Sequence, residues 1–136
     1  MRGFGVGTYL FQGFPSDAEW RRVALTRDDV GGLLYANYPT WVTLSGGSRL
    51  VRDGAANVES IDTGDGTNAN IFGVERELRG GRTFAEMILA AENPKAPHIV
   101  VEGHARATAY ARVLPDDAEV EAIAGYSARL GEWRWF

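Results

Sequence analysis

The residue types able to do chemistry crowd into one stretch, Glu102-Gly103-His104-Ala105-Arg106. Before it stands His98-Ile99-Val100-Val101, a short β-branched run after Pro97. Behind it, Ala105 to Arg112 is alanine-rich and strongly helix-forming. A strand feeding through one glycine into a helix leaves the first helical N–H groups without acceptors, at the positive end of the dipole. That arrangement suits an anion. His104 falls at the helix start and Arg106 in its first turn, so both can donate to a phosphate. Glu102-Gly103-His104 reads as a turn, and the Glu102 carboxylate there can accept a proton from a substrate hydroxyl or hold Mg²⁺. Gly103 allows close backbone approach or a positive φ. Each side chain also has a plainer role: Glu102 as a strand-end carboxylate bonded to backbone N–H groups, His104 as a cap or surface histidine, Arg106 as half of a surface ion pair. Thr108 and Tyr110 are expected to pack or face solvent.

Other candidates are weaker. His98, at a strand start, reads as structural, and a metal site from His98, Glu102 and His104 needs a convergence that strand and turn geometry opposes. Arg49, Arg76, Arg79 and Arg82 can line the same pocket, as can Asp28, Asp29 and Glu75, and spacing does not choose among them. Asp62 and Asp65 begin like a calcium loop, but Glu75 comes too early for a loop begun at Asp65. Ser127 lacks the Gly-x-Ser-x-Gly context of a hydrolase nucleophile. Gly3-Phe4-Gly5-Val6-Gly7 has glycine spacing suggestive of a phosphate loop without the preceding strand that such a loop requires. The absence of cysteine rules out thiol catalysis, cysteine-bound zinc and disulfides.

The elements that must position these residues fit one domain over 1–136, since two cores in so short a chain would each be marginal. Residues 1–15, rich in glycine and aromatics, read as an N-terminal arm. Ser16-Asp17-Ala18-Glu19 has capping-box spacing and predicts a helical turn before Trp20. Arg22 to Thr26 reads as a strand. Thr26 or Asp28 can cap a short helix reaching through Val30 and Leu33 to Tyr35, which Gly31-Gly32 weakens. Pro39 marks a boundary, Ser45-Gly46-Gly47 a turn, and residues 62–70 a loop. A helix over Ile71 to Arg79, capped by Thr67 or Asn68 and stopped by Gly80-Gly81, turns Ile71, Val74 and Leu78 inward and Glu75, Arg76 and Glu77 to solvent. Met87 to Ala90 is a buried strand or a helix end. Ala118 to Gly125 reads as a strand, with a helix as its rival, followed by a turn at Gly125-Tyr126-Ser127. Trp133, Trp135 and Phe136 are too apolar for a free tail and are expected to dock on the body or on a partner chain.

Charge narrows the partners. Fourteen basic residues face eighteen acidic ones, a net charge of −4, which argues against nucleic acid. Lys95 is the only lysine; the other basic residues are arginines, whose forked guanidinium suits phosphate and carboxylate. No apolar run approaches the ~18 residues that span a bilayer, so no membrane partner is expected. Met1 to Gly5 has no signal-peptide pattern, and a cytoplasmic location is expected.

The stretch Val100 to Tyr110 resembles the phosphate-holding segment of the ParB/sulfiredoxin-like superfamily. There a strand leads through a glycine and polar positions to an arginine and a helix. ParB proteins carry Gly-Glu-Arg-Arg, sulfiredoxin Gly-Cys-His-Arg, and the free serine kinases Asp-Gly-His-His-Arg. Glu102-Gly103-His104-Ala105-Arg106 is nearest the kinase form, with Ala105 in place of its second histidine and Glu102 in place of its aspartate. The resemblance covers roughly residues 83–125. It implies an α+β fold, a small mixed sheet with packed helices. It also implies a nucleotide cofactor, ATP or ADP or alternatively CTP, with Mg²⁺, held by Gly103, His104 and Arg106, and Glu102 as the catalytic carboxylate. The expected function is a nucleotide-dependent phosphotransferase, a small-molecule kinase acting on a hydroxyl-bearing metabolite. The alternative is a non-catalytic nucleotide- or anion-binding regulatory or assembly module, whose partner, a second copy or another protein, covers the aromatic C-terminus. Sulfiredoxin chemistry is excluded because the chain has no cysteine.

Overall fold

The computed structural model describes residues 8–136. A 3-10 turn at Thr8–Phe11 precedes β1 (Glu19–Leu25), α1 (Arg27–Gly31), α2 (Pro39–Leu44), α3 (Val51–Asn57) and α4 (Thr67–Arg79). Then follow β2 (Met87–Ala91), β3 (Ile99–Glu102), α5 (His104–Val113), β4 (Val120–Tyr126) and a closing 3-10 turn at Leu130–Glu132. The sheet runs β1-β4-β2-β3. β4 lies antiparallel to β1 and parallel to β2, and β3 returns antiparallel to β2. The fold is α+β with a mixed sheet.

Both faces of the sheet are covered, which is why β2 is apolar without alternation. Met87 and Leu89 join Val100, Val30, Tyr35 and Ala107 on the helical side. Ile88 and Ala90 join Ile99, Val101, Leu130 and Trp133 on the other. A segment buried on two sides has no polar face from which to read a period, and the pairing of Met87–Ala91 with β4 settles it as a strand. Trp133 is 2% exposed and donates its Nε1–H to the Leu10 carbonyl, so it docks on its own body, with Trp135 partly buried beside it and Phe136 exposed. Leu10, Phe11 and Phe14 pack on the same face. Residues 1–7, with the rest of the expected arm and its glycine spacing, lie outside the described residues.

Several expectations are corrected. Ser16-Asp17-Ala18-Glu19 opens no helix: Ser16 and Asp17 form a turn that leads directly into β1. Glu19 already belongs to β1, and the Asp17 carboxylate instead accepts from the Ser127 hydroxyl at 2.7 Å. α1 has the Thr26 cap, with Asp29 completing a capping box, but ends at Gly31, short of Leu33 to Tyr35. α4 is capped by Gly66, not by Thr67 or Asn68. Asn68 is instead spent inside the loop, accepting from Thr63 N–H and donating to the Val58 and Ile61 carbonyls. Glu75 is not solvated: it is 4% exposed and bonded to Arg112 at 2.5 Å, because α5 packs over that face of α4. Glu102 belongs to β3, not to the turn after it. Residues 120–126 form the predicted strand, but Gly125 and Tyr126 lie within it and not in a turn. No helix among the described residues is long and apolar enough to cross a membrane.

Candidate functional site

β3 reaches the start of α5 through Gly103, whose φ is +105°. A Cβ there would sit 2.9 Å from Met87 Cγ and 3.3 Å from Arg106 Nη2, so conformation and space both demand glycine. The first helical bond runs from Ala107 N–H to the Gly103 carbonyl at 2.8 Å. Among the described residues, no side-chain cap bond is made at this end. The N–H groups of His104, Ala105 and Arg106 therefore have no helical acceptor, as the sequence predicts.

Arg106 folds back over this opening. Its guanidinium carbon would lie 3.4 Å from a Cβ at residue 103, and Nη1 donates to the Ala85 carbonyl at 2.5 Å. That anchor uses one of the five guanidinium N–H donors and leaves others for a ligand.

His104 differs from the plainer sequence reading. It is neither a surface residue nor a capping side chain, but a buried ring, 8% exposed. It stacks on Trp41 at 5.1 Å between centroids and on Tyr35 at 6.0 Å. Nε2 accepts from Ala36 N–H at 3.2 Å, so the hydrogen of the neutral ring sits on Nδ1. Burial lowers its pKa to about 3, which keeps it uncharged. Any phosphate contact therefore comes from Nδ1–H of a neutral ring. Below it, Thr108 donates to the His104 carbonyl at 2.9 Å and accepts from the Tyr35 hydroxyl at 2.7 Å. Burial pushes the Tyr35 hydroxyl pKa up, so it stays a donor. Thr108 thus packs, as expected, and holds the first turn of α5 in place.

A cavity of about 360 Å³ opens on this helix start. Gly103, His104, Ala105 and Arg106 line it, with Leu10, Tyr38, Trp41, Val74 and Phe84 as its apolar wall and Asn70 as a further polar lining residue. No carboxylate is among its described lining residues. Glu102, the proposed catalytic group, does not line it, and makes no side-chain hydrogen bond or ion pair among the described residues. A second cavity of about 460 Å³ shares Asn70, Val74 and Phe84 with the first and adds Arg76, Glu77 and Arg82. Arg82 is paired with Glu77 at 2.6 Å and stands over the Phe84 ring.

The other candidates are placed elsewhere. Arg49 donates from Nε to the Tyr35 carbonyl at 3.0 Å, while its Nη2 is buried without a hydrogen-bond partner. Asp29 is occupied in the α1 cap, and Arg79 is exposed at the end of α4. His98 bonds the Ala96 carbonyl and the Tyr126 hydroxyl, the structural role expected for it. The apolar wall from Tyr38, Trp41 and Phe84 was invisible in the sequence, because these residues come from separate elements and carry no spacing signal. No family model matches the chain, and neither does any curated protein or solved structure.

Proposed function

We propose that the chain binds a nucleotide, with its phosphates at the start of α5 and its planar base toward the aromatic wall. The observation that carries this reading is a helix start with no side-chain cap among the described residues, flanked by the folded-back Arg106 and by His104, at the end of a cavity whose described lining holds no carboxylate. Three backbone N–H groups, a guanidinium and a neutral imidazole N–H are complementary to phosphate oxygens. The volume lies within the usual range of ~300–1,000 Å³ for small-molecule sites. The resemblance to the ParB/sulfiredoxin-like superfamily points to the same segment and to ATP, ADP or CTP. Mg²⁺ would arrive with the nucleotide phosphates, because no described lining residue offers a carboxylate ligand.

A phosphotransferase reading is favoured by one further observation, the adjoining cavity that shares three residues with the first. A hydroxyl-bearing acceptor fits there. In that case Glu77 is better placed than Glu102 to receive the hydroxyl proton, since it lines the adjoining cavity. Binding without chemistry is the simpler reading.

Calorimetric titration with ATP, ADP, CTP and CDP, each with and without Mg²⁺, tests the proposal. Binding that Arg106→Ala weakens about tenfold or more is expected, the loss of one charge-assisted contact of ~1.4 kcal/mol or more. No binding of any of the four to the wild type would overturn it. Transfer to an acceptor that Glu77→Gln abolishes and Glu102→Gln spares would establish the second reading.

A further inference from the structure

The arginines of the two adjoining cavities differ in what they already hold. Arg106 is anchored on the Ala85 carbonyl, and Arg82 is paired with Glu77 and stands over the Phe84 ring. Arg76 lines the second cavity and has neither an ion pair nor a side-chain hydrogen bond among the described residues. Its guanidinium is not spent on the end of α4 either. It folds back along the helix, with Nη2 3.6 Å from where a Cβ at Gly73 would stand. That direction leads away from the last carbonyls of α4, which a basic side chain near a helix C-terminus otherwise serves. Gly73 lies in the interior of α4, where glycine costs stability relative to alanine. Its φ is not positive, and a Cβ there would make only ordinary contact, so neither backbone nor packing demands glycine. What the missing side chain leaves is room on the cavity side of the helix, because Gly73 lines the cavity together with Asn70, Val74 and Glu77.

We propose that this second cavity binds an oxyanion, a carboxylate or a phosphate, on the Arg76 guanidinium over Gly73. Glu77 and Arg82 neutralise one another, so the described lining is left with the positive charge of Arg76. A guanidinium fork matches two oxygens of either oxyanion. The Asn70 amide makes no side-chain hydrogen bond among the described residues and supplies a further N–H donor to the same cavity. The cavity shares Asn70, Val74 and Phe84 with the one at the start of α5, so the oxyanion is the handle by which a hydroxyl-bearing acceptor is recognised beside the nucleotide. That role rests on the nucleotide reading; the oxyanion site itself does not.

Glycerol, glycerate and glycerol 3-phosphate share a hydroxyl-bearing skeleton and carry no charge, a carboxylate and a phosphate. Each is titrated by calorimetry into the whole chain, alone and beside each of the nucleotides named above. At least one of the two anions is expected to bind and glycerol not to, and the anion that binds identifies the oxyanion. Arg76→Ala is expected to weaken that anion about tenfold. Arg79→Ala, which removes the same charge from α4 outside the cavity, is expected to bind it as the wild type does. Gly73→Ala is expected to weaken it several-fold while raising the melting temperature, because alanine is the better helix former but its methyl enters the cavity. The proposal is overturned if neither anion binds or if glycerol binds equally well. It is also overturned if Arg76→Ala binds the anion no more weakly than Arg79→Ala, or if Gly73→Ala leaves the affinity unchanged. Anion binding that depends on Arg76 in a chain that binds no nucleotide would keep this site and overturn the nucleotide reading alone.

Discussion

Two helices begin in the same way and are finished differently. α4 follows Gly66 at φ +88° and α5 follows Gly103 at φ +105°; neither has a side-chain bond from its N-cap residue. At α4 the chain supplies its own anion. Asp65 Oδ1 accepts from Thr67 N–H at 3.1 Å, and the carboxylate also accepts from the Thr63 and Thr40 hydroxyls. At α5 no carboxylate among the described residues takes that position; Arg106 and His104 flank it instead. A left-handed glycine opens both helix starts, and among the described residues the one at α4 is filled from within. The position that Asp65 occupies at α4 is the position where α5 would receive a phosphate.

Substitution of the two glycines sharpens this contrast most. Gly103→Ala meets Met87 and Arg106 as well as left-handed strain, and a loss of about 3 kcal/mol is expected. Gly66→Ala meets nothing within 4 Å and is expected to cost about 1 kcal/mol, the strain alone. Denaturant melts of the two variants measure the difference, and equal losses would break the comparison.

Acid comes next, because the side chains at the two sites titrate differently. His104 has a pKa lowered to about 3 in the fold, so below its unfolded value of about 6.5 the unfolded chain binds the extra proton. Its contribution is complete above that pH and falls by up to about 1.4 kcal/mol for each pH unit below it. Stability curves of the wild type and His104→Gln from pH 7 to pH 4 are expected to converge as the pH falls. The same buried neutral ring predicts nucleotide affinity with no inflection at the ordinary histidine pKa, provided the nucleotide's own phosphate titration is subtracted.

Arg106→Ala is expected to weaken nucleotide binding about tenfold while the melting temperature changes by no more than a few degrees, since among the described residues its side chain bonds only the Ala85 carbonyl. A large loss of stability with unchanged binding would make Arg106 a structural residue. The smallest effect is expected at Asp65. Hydrogen bonds from Thr63, and then from Thr67 and Thr40, hold its carboxyl well below the usual range. It therefore stabilises the fold fully above an unfolded value of about 3.9, and less as the pH falls toward its folded value. Asp65→Asn should lower the melting temperature slightly at pH 7, with a gap to wild type that narrows below pH 4.

The strand, glycine and helix around residue 103 were legible because their signals are local: a β-branched run, a residue free to take positive φ, and an alanine-rich segment. The alternation of β2 was not legible, since two covering layers bury both of its faces. Nor was the burial of Glu75, which looked like part of a solvated stripe until Arg112, from a helix far along the chain, paired with it.

The amino-acid order sets which helix starts can accept an anion, because an uncapped first turn depends on residues within a few positions of one another. It also sets the acidic balance and the absence of thiol chemistry, which follow from residue counts alone. Chain topology settled what surrounds those groups. It turned His104 inward against Trp41 and bound its Nε2 to Ala36, left Glu102 outside the cavity, and brought Tyr38 and Phe84 to the cavity's apolar wall. Contacts between residues dozens of positions apart depend on how whole elements pack, and no local spacing encodes them.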